Sequence, residues 1–209
     1  MSSYPLDFFF DLAKNGLNYG IVYSLCLAET ERVNLGADSC RVSIVPTSDK
    51  GFFSSRSVRD RNYDVAQKEW RLHNLVVPAT RLIPSVQEIH IHSNRENTKA
   101  FLNSNLFRYP QNFSVDHPRK RLGSFNMILN QARKGTDVQH IRAPKFALKV
   151  MAEWLRKNAC IENTITITLR QSDIQPDRNS DVKEWLELAS HMEKVGFKPV
   201  FICDTELIL

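Results

Sequence analysis

Glycine is scarce in this chain, and the glycine-rich loops that many phosphate-binding proteins use are missing. Only 7 of the 209 residues are glycine. No G-x-G-x-x-G follows the first predicted strand, which disfavours a dinucleotide-binding Rossmann enzyme, and no G-x-x-x-x-G-K-[ST] indicates a P-loop. No G-x-S-x-G occurs either, which disfavours a hydrolase with a nucleophile elbow.

Cysteine pairs and long apolar runs are also missing. The four cysteines are widely scattered and none forms C-x-x-C, so neither a zinc site nor a disulfide framework is predicted. No apolar run approaches the ~20 residues that span a bilayer. The first residues show no signal-peptide pattern. We therefore expect a cytoplasmic protein in a reducing compartment.

The charge balance is mildly basic, with a formal net charge of +5 and a sequence pI of about 9.1. It favours anionic partners such as nucleotides and phosphates only weakly, because an ordinary protein with a lysine surplus has the same balance. The chain has no helix-turn-helix signal, no zinc pattern and no paired stacking aromatics on a strand. No nucleic-acid partner is predicted.

Strand-like and helix-like segments alternate along the chain. The segments "YPLDFFFD", "CRVSIVP" and "VQEIHIHSN" are typical of strands, and residues at helical spacing separate them. Pro78 is expected to break or kink the helix that begins near Asp64. Strand–helix–strand order is the commonest route to a parallel sheet. We therefore expect an α/β fold with a Rossmann-like parallel sheet and flanking helices.

A second strand–helix–strand unit begins late in the chain. Residues 164–169 alternate threonine with aliphatic side chains, as a strand does, and Ser180–Asp181 suits a helix start. Two parallel strands alone make a small sheet, so they either complete the first sheet or begin a second domain. We expect one domain over 1–155 and an incomplete second domain, its first βαβ unit, over 156–209.

Two arginines flank the polar loop of that unit. Arg170 lies where the strand ends, Arg178 lies just before the helix, and Ser180 opens it. In α/β sheets, ligands bind beyond the carboxyl ends of strands, near free helix N–H groups, and a guanidinium holds phosphate bidentately. These three residues form the predicted anion site. In the competing interpretation Arg170 pairs with Asp173 or Asp177, and Arg178 is solvated.

Other polar residues give weaker signals. Asp11 ends the first apolar segment and is the candidate general base, with a loop residue or helix cap as the alternative. His90 and His92 alternate on one strand face, but no third metal ligand is evident nearby, so no metal site is predicted. The basic segment 117–121 either contacts a phosphate or polyanionic acceptor or is simply solvated, which is the usual case for such runs. The same alternatives hold for Arg56, Arg59 and Arg61 in the loop 47–62, which follows the carboxyl end of a predicted strand.

The segment "ENTITITLRQSDIQPDRNSDVKEWLELASHMEKVGFKPVFICDTE" resembles the opening of the donor-binding domain of a GT-B glycosyltransferase. Within it, "TITLRQSD" is similar to a segment of the fucosyltransferase-like branch in which an arginine binds the donor diphosphate, and Arg170 matches that arginine. The chain departs from that branch in having one arginine where two are frequent, and Thr168 in place of a histidine. "AETERVNLGADSCRVSIVP" also looks like bacterial surface-glycan glycosyltransferases.

The resemblance implies a function for the protein and separate roles for its two domains. Such enzymes pack two Rossmann-like domains face to face, so residues 1–155 would form the acceptor-side domain. The implied reaction moves a sugar from a nucleoside-diphosphate sugar to a glycan or lipid-linked acceptor, with peripheral membrane contact and no cofactor or metal. Arg170 would neutralise the diphosphate, assisted by Arg178 and Ser180. The alternatives are a non-catalytic α/β binding module derived from a truncated glycosyltransferase, and a sugar-nucleotide epimerase.

Overall fold

The computed structural model describes residues 4–48, 63–102, 107–117, 123–158, 163–171 and 176–202. The chain divides into two compact units, Met1–Pro144 and Lys145–Leu209. The helix that spans the predicted boundary at residue 155, Lys145–Lys157, belongs to the second unit. Each unit has its own sheet.

The first unit contains a four-stranded parallel sheet flanked by helices, so the prediction of an α/β fold is confirmed. Its strands are β1 (Leu6–Asp11), β2 (Cys40–Val45), β3 (Val86–Ile91) and β4 (Arg108–Tyr109). They are ordered β3-β2-β1-β4, and all neighbours pair in parallel. The sequence does not predict β4, because its two residues are too few to show a period-two pattern.

Helices connect these strands. They are α1 (Ile21–Leu35), α2 (Val65–Arg71), α3 (Val77–Thr80), α4 (Arg95–Leu102) and α5 (Phe125–Arg133). α1 ends at Gly36, whose φ of 65° is the left-handed conformation that a glycine cap adopts. α2 and α3 form one continuous helical segment through a π-helical turn, Leu72–Val76.

The π turn has a covalent cause. Pro78 has no N–H, so the carbonyl four residues before it loses its usual helical donor. The N–H of Val77 donates to the carbonyl of Leu72, five residues back, which is the π-helical pattern. The break predicted at Pro78 is therefore a local widening, and the helix continues through it.

Apolar layers cover both faces of this sheet. On one face, Phe8, Phe10 and Ile44 belong to a core that α1 and the π turn complete. On the other face, Phe9 stacks on Phe113 with ring centroids 4.6 Å apart. Each fully buried side chain of this size contributes roughly 1.5–3 kcal/mol. Together the two layers fix the carboxyl ends of β1 and β2.

The second unit is smaller. Its elements are α6 (Lys145–Lys157), β5 (Thr164–Thr168), a 3-10 turn (Pro176–Arg178), α7 (Val182–Lys194) and β6 (Lys198–Ile202). β5 and β6 pair in parallel as a separate two-stranded sheet, which decides between the two arrangements that the sequence leaves open. Of the residues described in this unit, Ile167 and Ala189 are the buried apolar ones. None of the helices described in either unit has the length and apolar character needed to cross a bilayer.

Candidate functional site

The strand order of the first unit shows where its ligand-binding edge lies. β2 lies on one side of β1 and β4 lies on the other, so the chain connections diverge at the carboxyl ends of β1 and β4. In open α/β sheets such a switch point forms the crevice that binds ligands. Asp11, the predicted general base, is the last residue of β1 and lies at this edge.

Asp11 is buried in an ion pair with Arg95. Only 3% of Asp11 and 8% of Arg95 is exposed. Arg95 Nη1 donates to Asp11 Oδ1 at 3.0 Å and Nη2 donates to Oδ2 at 2.8 Å, which is a bidentate pairing. The backbone N–H of Ala13 also donates to Oδ1, at 2.9 Å. Both oxygens of the predicted base are therefore hydrogen-bonded within the protein.

The guanidinium of Arg95 uses its full donor capacity inside the protein. A guanidinium has five N–H donors, and two of those of Arg95 bind Asp11. Nη1 also donates to the carbonyl of Pro46 at 2.7 Å, Nε donates to the carbonyl of Val115 at 3.2 Å, and Nη2 donates to that same carbonyl. Arg95 therefore ties together the ends of β1 and β2 and the segment that follows β4.

This geometry favours a positioning role for Asp11. A general base needs a lone pair that reaches the proton of a substrate, and the Asp11 carboxylate would first have to leave Arg95. The assignment of Asp11 as catalytic stays a prediction. Arg95 was not predicted as its partner. The available signal was a cation at the first position of a helix, which the helix dipole disfavours unless an acidic group compensates.

A second buried carboxylate lies on the same face of β1. Asp7 is 1% exposed, and Arg41 donates to its two oxygens from Nε at 2.7 Å and from Nη2 at 2.9 Å. Burial raises the pKa of the Asp7 carboxyl from its ordinary value, and the bonds from Arg41 oppose that rise. The Arg41 guanidinium also lies over the ring of Phe101, 5.4 Å from its centroid. The Asp7–Arg41 ion pair and the Phe101 ring together cover this part of the sheet face.

His90 and His92 lie side by side, with ring centroids 6.3 Å apart. Each ring has its own partner, since His90 Nε2 is 3.0 Å from a carboxylate oxygen of Glu88 and His92 Nε2 is 3.1 Å from Ser43 Oγ. Burial lowers the pKa of His92. The residues that the structure describes contain no group of three or more His, Cys, Asp or Glu side chains that could hold a metal.

Two cysteines are described, Cys26 and Cys40, and both are buried free thiols. Burial raises the pKa of the Cys40 thiol to about 12. A cysteine nucleophile reacts as the thiolate, so Cys40 is unsuited to that role. Two predicted basic segments fall largely outside the described residues, which omit 49–62 and 118–122.

The predicted anion site lies in the second unit, and two of its three residues are joined there. The N–H of Arg170 donates to Ser180 Oγ at 2.9 Å, and the N–H of Ser180 donates to the Arg170 carbonyl at 2.9 Å. Gln171 Nε2 donates to the Ser180 carbonyl at 3.1 Å. These bonds, which we call the Arg170–Ser180 clamp, attach the carboxyl end of β5 to the start of α7.

The two arginines of this site differ in solvent exposure. Arg178 lies in the 3-10 turn that precedes α7 and is exposed. Arg170 is half-buried, and its Nε atom is inaccessible to solvent. A guanidinium in a poorly hydrated position interacts more strongly with a bound anion than an exposed one does. Arg170 is therefore the stronger candidate ligand of the two.

Asp181 changes the electrostatics of the helix start. Its side chain caps α7 by accepting from the N–H of Lys183 at 3.0 Å and from the N–H of Glu184 at 3.4 Å. Two donors that a bound anion would use are already occupied, and a carboxylate adds negative charge beside them. Positive charge at this site must therefore come from Arg170 and Arg178 rather than from the helix dipole.

Comparisons of the chain with protein-family models, with curated proteins and with solved structures find no match. The architecture shown is α/β with a four-stranded parallel sheet flanked by helices, which is consistent with a Rossmann-like fold. Function is therefore inferred from the geometry of the second unit and from the resemblance of its sequence.

Proposed function

We propose that the second unit binds the diphosphate of a nucleoside-diphosphate sugar, and that the protein is a metal-independent glycosyltransferase of the GT-B class. The observation that carries the proposal is the Arg170–Ser180 clamp. The clamp holds an arginine at the carboxyl end of a parallel strand and beside the first turn of α7. In open α/β sheets, ligands bind beyond the carboxyl ends of strands, and an arginine there supplies the positive charge that the capped helix start does not.

The chemistry asked of these residues is charge stabilisation. When the sugar leaves its donor, negative charge develops on the departing diphosphate, and a preorganised cation stabilises that charge in the transition state. Arg170 binds phosphate oxygens bidentately in this scheme, Arg178 adds a second cation, and the Ser180 hydroxyl donates a hydrogen bond. Arginine supplies the charge that a metal supplies in other transferases, so the scheme uses none.

The two domains have different tasks in this scheme. The first unit serves the acceptor, which is a glycan or a lipid-linked glycan, and the second unit serves the donor. Asp11 and Arg95 hold the carboxyl edge of the first sheet in shape for that acceptor. The partners are a nucleotide-sugar donor and a glycan or lipid-linked acceptor, the latter bringing the protein to a membrane surface.

Calorimetric titration with GDP-, UDP- and ADP-sugars tests the donor site. Loss of one charge-assisted contact costs roughly 1.5–3 kcal/mol, so Arg170→Ala should raise the dissociation constant about tenfold to a hundredfold. Arg81→Ala, at an exposed arginine of the first unit, is the matched control and should leave affinity unchanged. Equal affinity of the wild-type protein and Arg170→Ala would remove Arg170 from the mechanism.

A non-catalytic nucleotide-binding module is the second candidate. The observation that favours it is the ion pair of Asp11, whose oxygens are both bonded within the protein. The two candidates differ in turnover. If nucleotide-sugars raise the thermal midpoint while mass spectrometry detects neither transfer nor hydrolysis of any bound donor, the module is correct. Turnover of a donor would exclude it.

A further inference from the structure

Helix α6 has an apolar side that the other described elements of the second unit do not bury. None of its 13 residues is buried. Val150 is 62% exposed, Met151 is 52% exposed and Trp154 is 43% exposed. Trp154 is four positions from Val150 and three from Met151, so the three residues lie on one side of the helix. A globular helix normally packs such a side against a core, and an uncovered one marks an interaction surface.

The opposite side of α6 is basic. Lys145, Lys149 and Arg156 are separated by one and by two helical turns, so they lie along one line of the helix. Lys157 adds a fourth cation at the border of the apolar side. The helix contains a single acidic residue, Glu153. Its charges therefore attract an anionic surface.

We propose that α6 binds an anionic lipid surface and lies in the plane of the membrane. The Trp154 side enters the boundary between headgroups and acyl chains, and the cations contact lipid phosphates. A helix of this length extends ~20 Å, which is too short for the ~30 Å hydrocarbon core. The helix therefore lies on the bilayer and does not cross it.

The distribution of charge favours lipid over other occupants. Single-stranded nucleic acid is bound by cations interleaved with stacking aromatics, whereas α6 separates its cations from its apolar side. A second copy packed on the apolar side would leave the cations of both helices without a counter-charge. An anionic bilayer provides a partner for both sides of α6, because its acyl region accepts the apolar side chains and its phosphates neutralise the cations.

This inference deepens one element of the proposed function, the contact with a lipid-linked acceptor, but it stands on α6 alone. Its test uses no nucleotide, so nucleotide-sugar binding can fail while lipid binding succeeds, and the reverse. The two failures are therefore distinguishable.

Co-sedimentation with vesicles provides the test. The full chain should sediment with vesicles containing about one third phosphatidylglycerol and remain largely free with phosphatidylcholine alone. Tryptophan emission should shift to shorter wavelength on binding, and Trp154→Phe should remove that shift. The triple variant Lys145→Gln, Lys149→Gln, Arg156→Gln should bind about a hundredfold more weakly.

The matched control removes the same charge elsewhere. Arg133→Gln, Lys134→Gln and Lys183→Gln together change exposed cations outside α6 and should preserve binding. Equal binding by the two triple variants would overturn the proposal, as would equal binding to both vesicle types or to neither. A wild-type dimer in sedimentation velocity that Trp154→Ser converts to a monomer would assign the apolar side to a second copy instead.

Discussion

The carboxyl ends of β1 and β5 both place an arginine near a carboxylate and a helix start, yet they use these groups differently. At β1, the guanidinium of Arg95 donates all five of its N–H groups to the protein. At β5, the clamp bonds that fix Arg170 run through its main chain and through Ser180. The side chain of Arg95 therefore fixes the first strand end, whereas the clamp at the second uses the main chain of Arg170 together with the side chains of Ser180 and Gln171.

The two strand ends also differ in burial. All six residues of β1 are buried, so a charge at its end must be compensated by the protein itself. In β5, Ile167 is the buried residue, and the strand end remains near solvent. An acid at a strand end is therefore weak evidence for a catalytic base when a buried cation lies beside it.

The largest expected loss of stability comes from removing the Asp11–Arg95 ion pair at the end of β1. Arg95→Met leaves Asp11 as a buried, uncompensated carboxylate and removes the donors to Pro46 and Val115. Loss of one partner of a buried pair costs about 3–5 kcal/mol. Urea unfolding followed by near-ultraviolet circular dichroism should show this as a large drop in the unfolding midpoint.

Two comparisons sharpen that prediction. Arg41→Met removes the partner of Asp7, but the Arg41 side chain is already 23% exposed, so the cost should be smaller. The double variant Asp11→Asn, Arg95→Met should recover little stability, because the two carbonyls still lack their donor. Full recovery in the double variant would mean that Arg95 acts only as a counter-charge.

The sequence predicted the α/β class and the order of most elements, because hydrophobic periodicity and caps are local. The helix expected to begin near Asp64 does so, and Asp181 caps the helix expected after Ser180–Asp181. The sequence did not predict β4, the π turn or the partner of Asp11. β4 and the partner of Asp11 depend on contacts between distant segments, such as the 84 positions between Asp11 and Arg95. The π turn is local, but the presence of Pro78 does not by itself determine how the helix accommodates it.

The candidate site was predicted in part for the same reason. Arg170 and Ser180 flank a loop, and the start of a helix is a local signal, so their proximity could be inferred. The effect of the Asp181 cap on a bound anion was not anticipated. It depends on which N–H groups the carboxylate occupies, and that geometry appears only in the structure.

A smaller effect is expected at the clamp. Ser180→Ala removes the acceptor of the Arg170 N–H, at a cost of about 1 kcal/mol. Hydrogen exchange should show an increase of about fivefold at the Arg170 amide, with no change at Asp11. Ser180→Thr retains a hydroxyl and serves as the control. Unaltered exchange at Arg170 in Ser180→Ala would show that the clamp does not hold the strand end.

The smallest expected effect is on how the stability of the first unit depends on pH. Burial lowers the pKa of His92, so the folded state binds its proton less readily than the unfolded state does. The contribution to stability is present above the ordinary histidine pKa of about 6.5 and is lost as pH falls below it. His92→Gln, which can still bond Ser43, should flatten this part of the profile of unfolding midpoint against pH. An unchanged slope in the variant would assign the dependence elsewhere.

The most direct test of the central claim is pyrophosphate binding to three forms of the protein by calorimetry. Asp181→Asn keeps a good helix cap but removes a negative charge from the helix start, so affinity should rise about twofold to fivefold. Arg170→Ala should lower affinity by about tenfold or more. Opposite shifts in the two variants would place the anion between Arg170 and α7, and equal affinity in all three forms would contradict that placement.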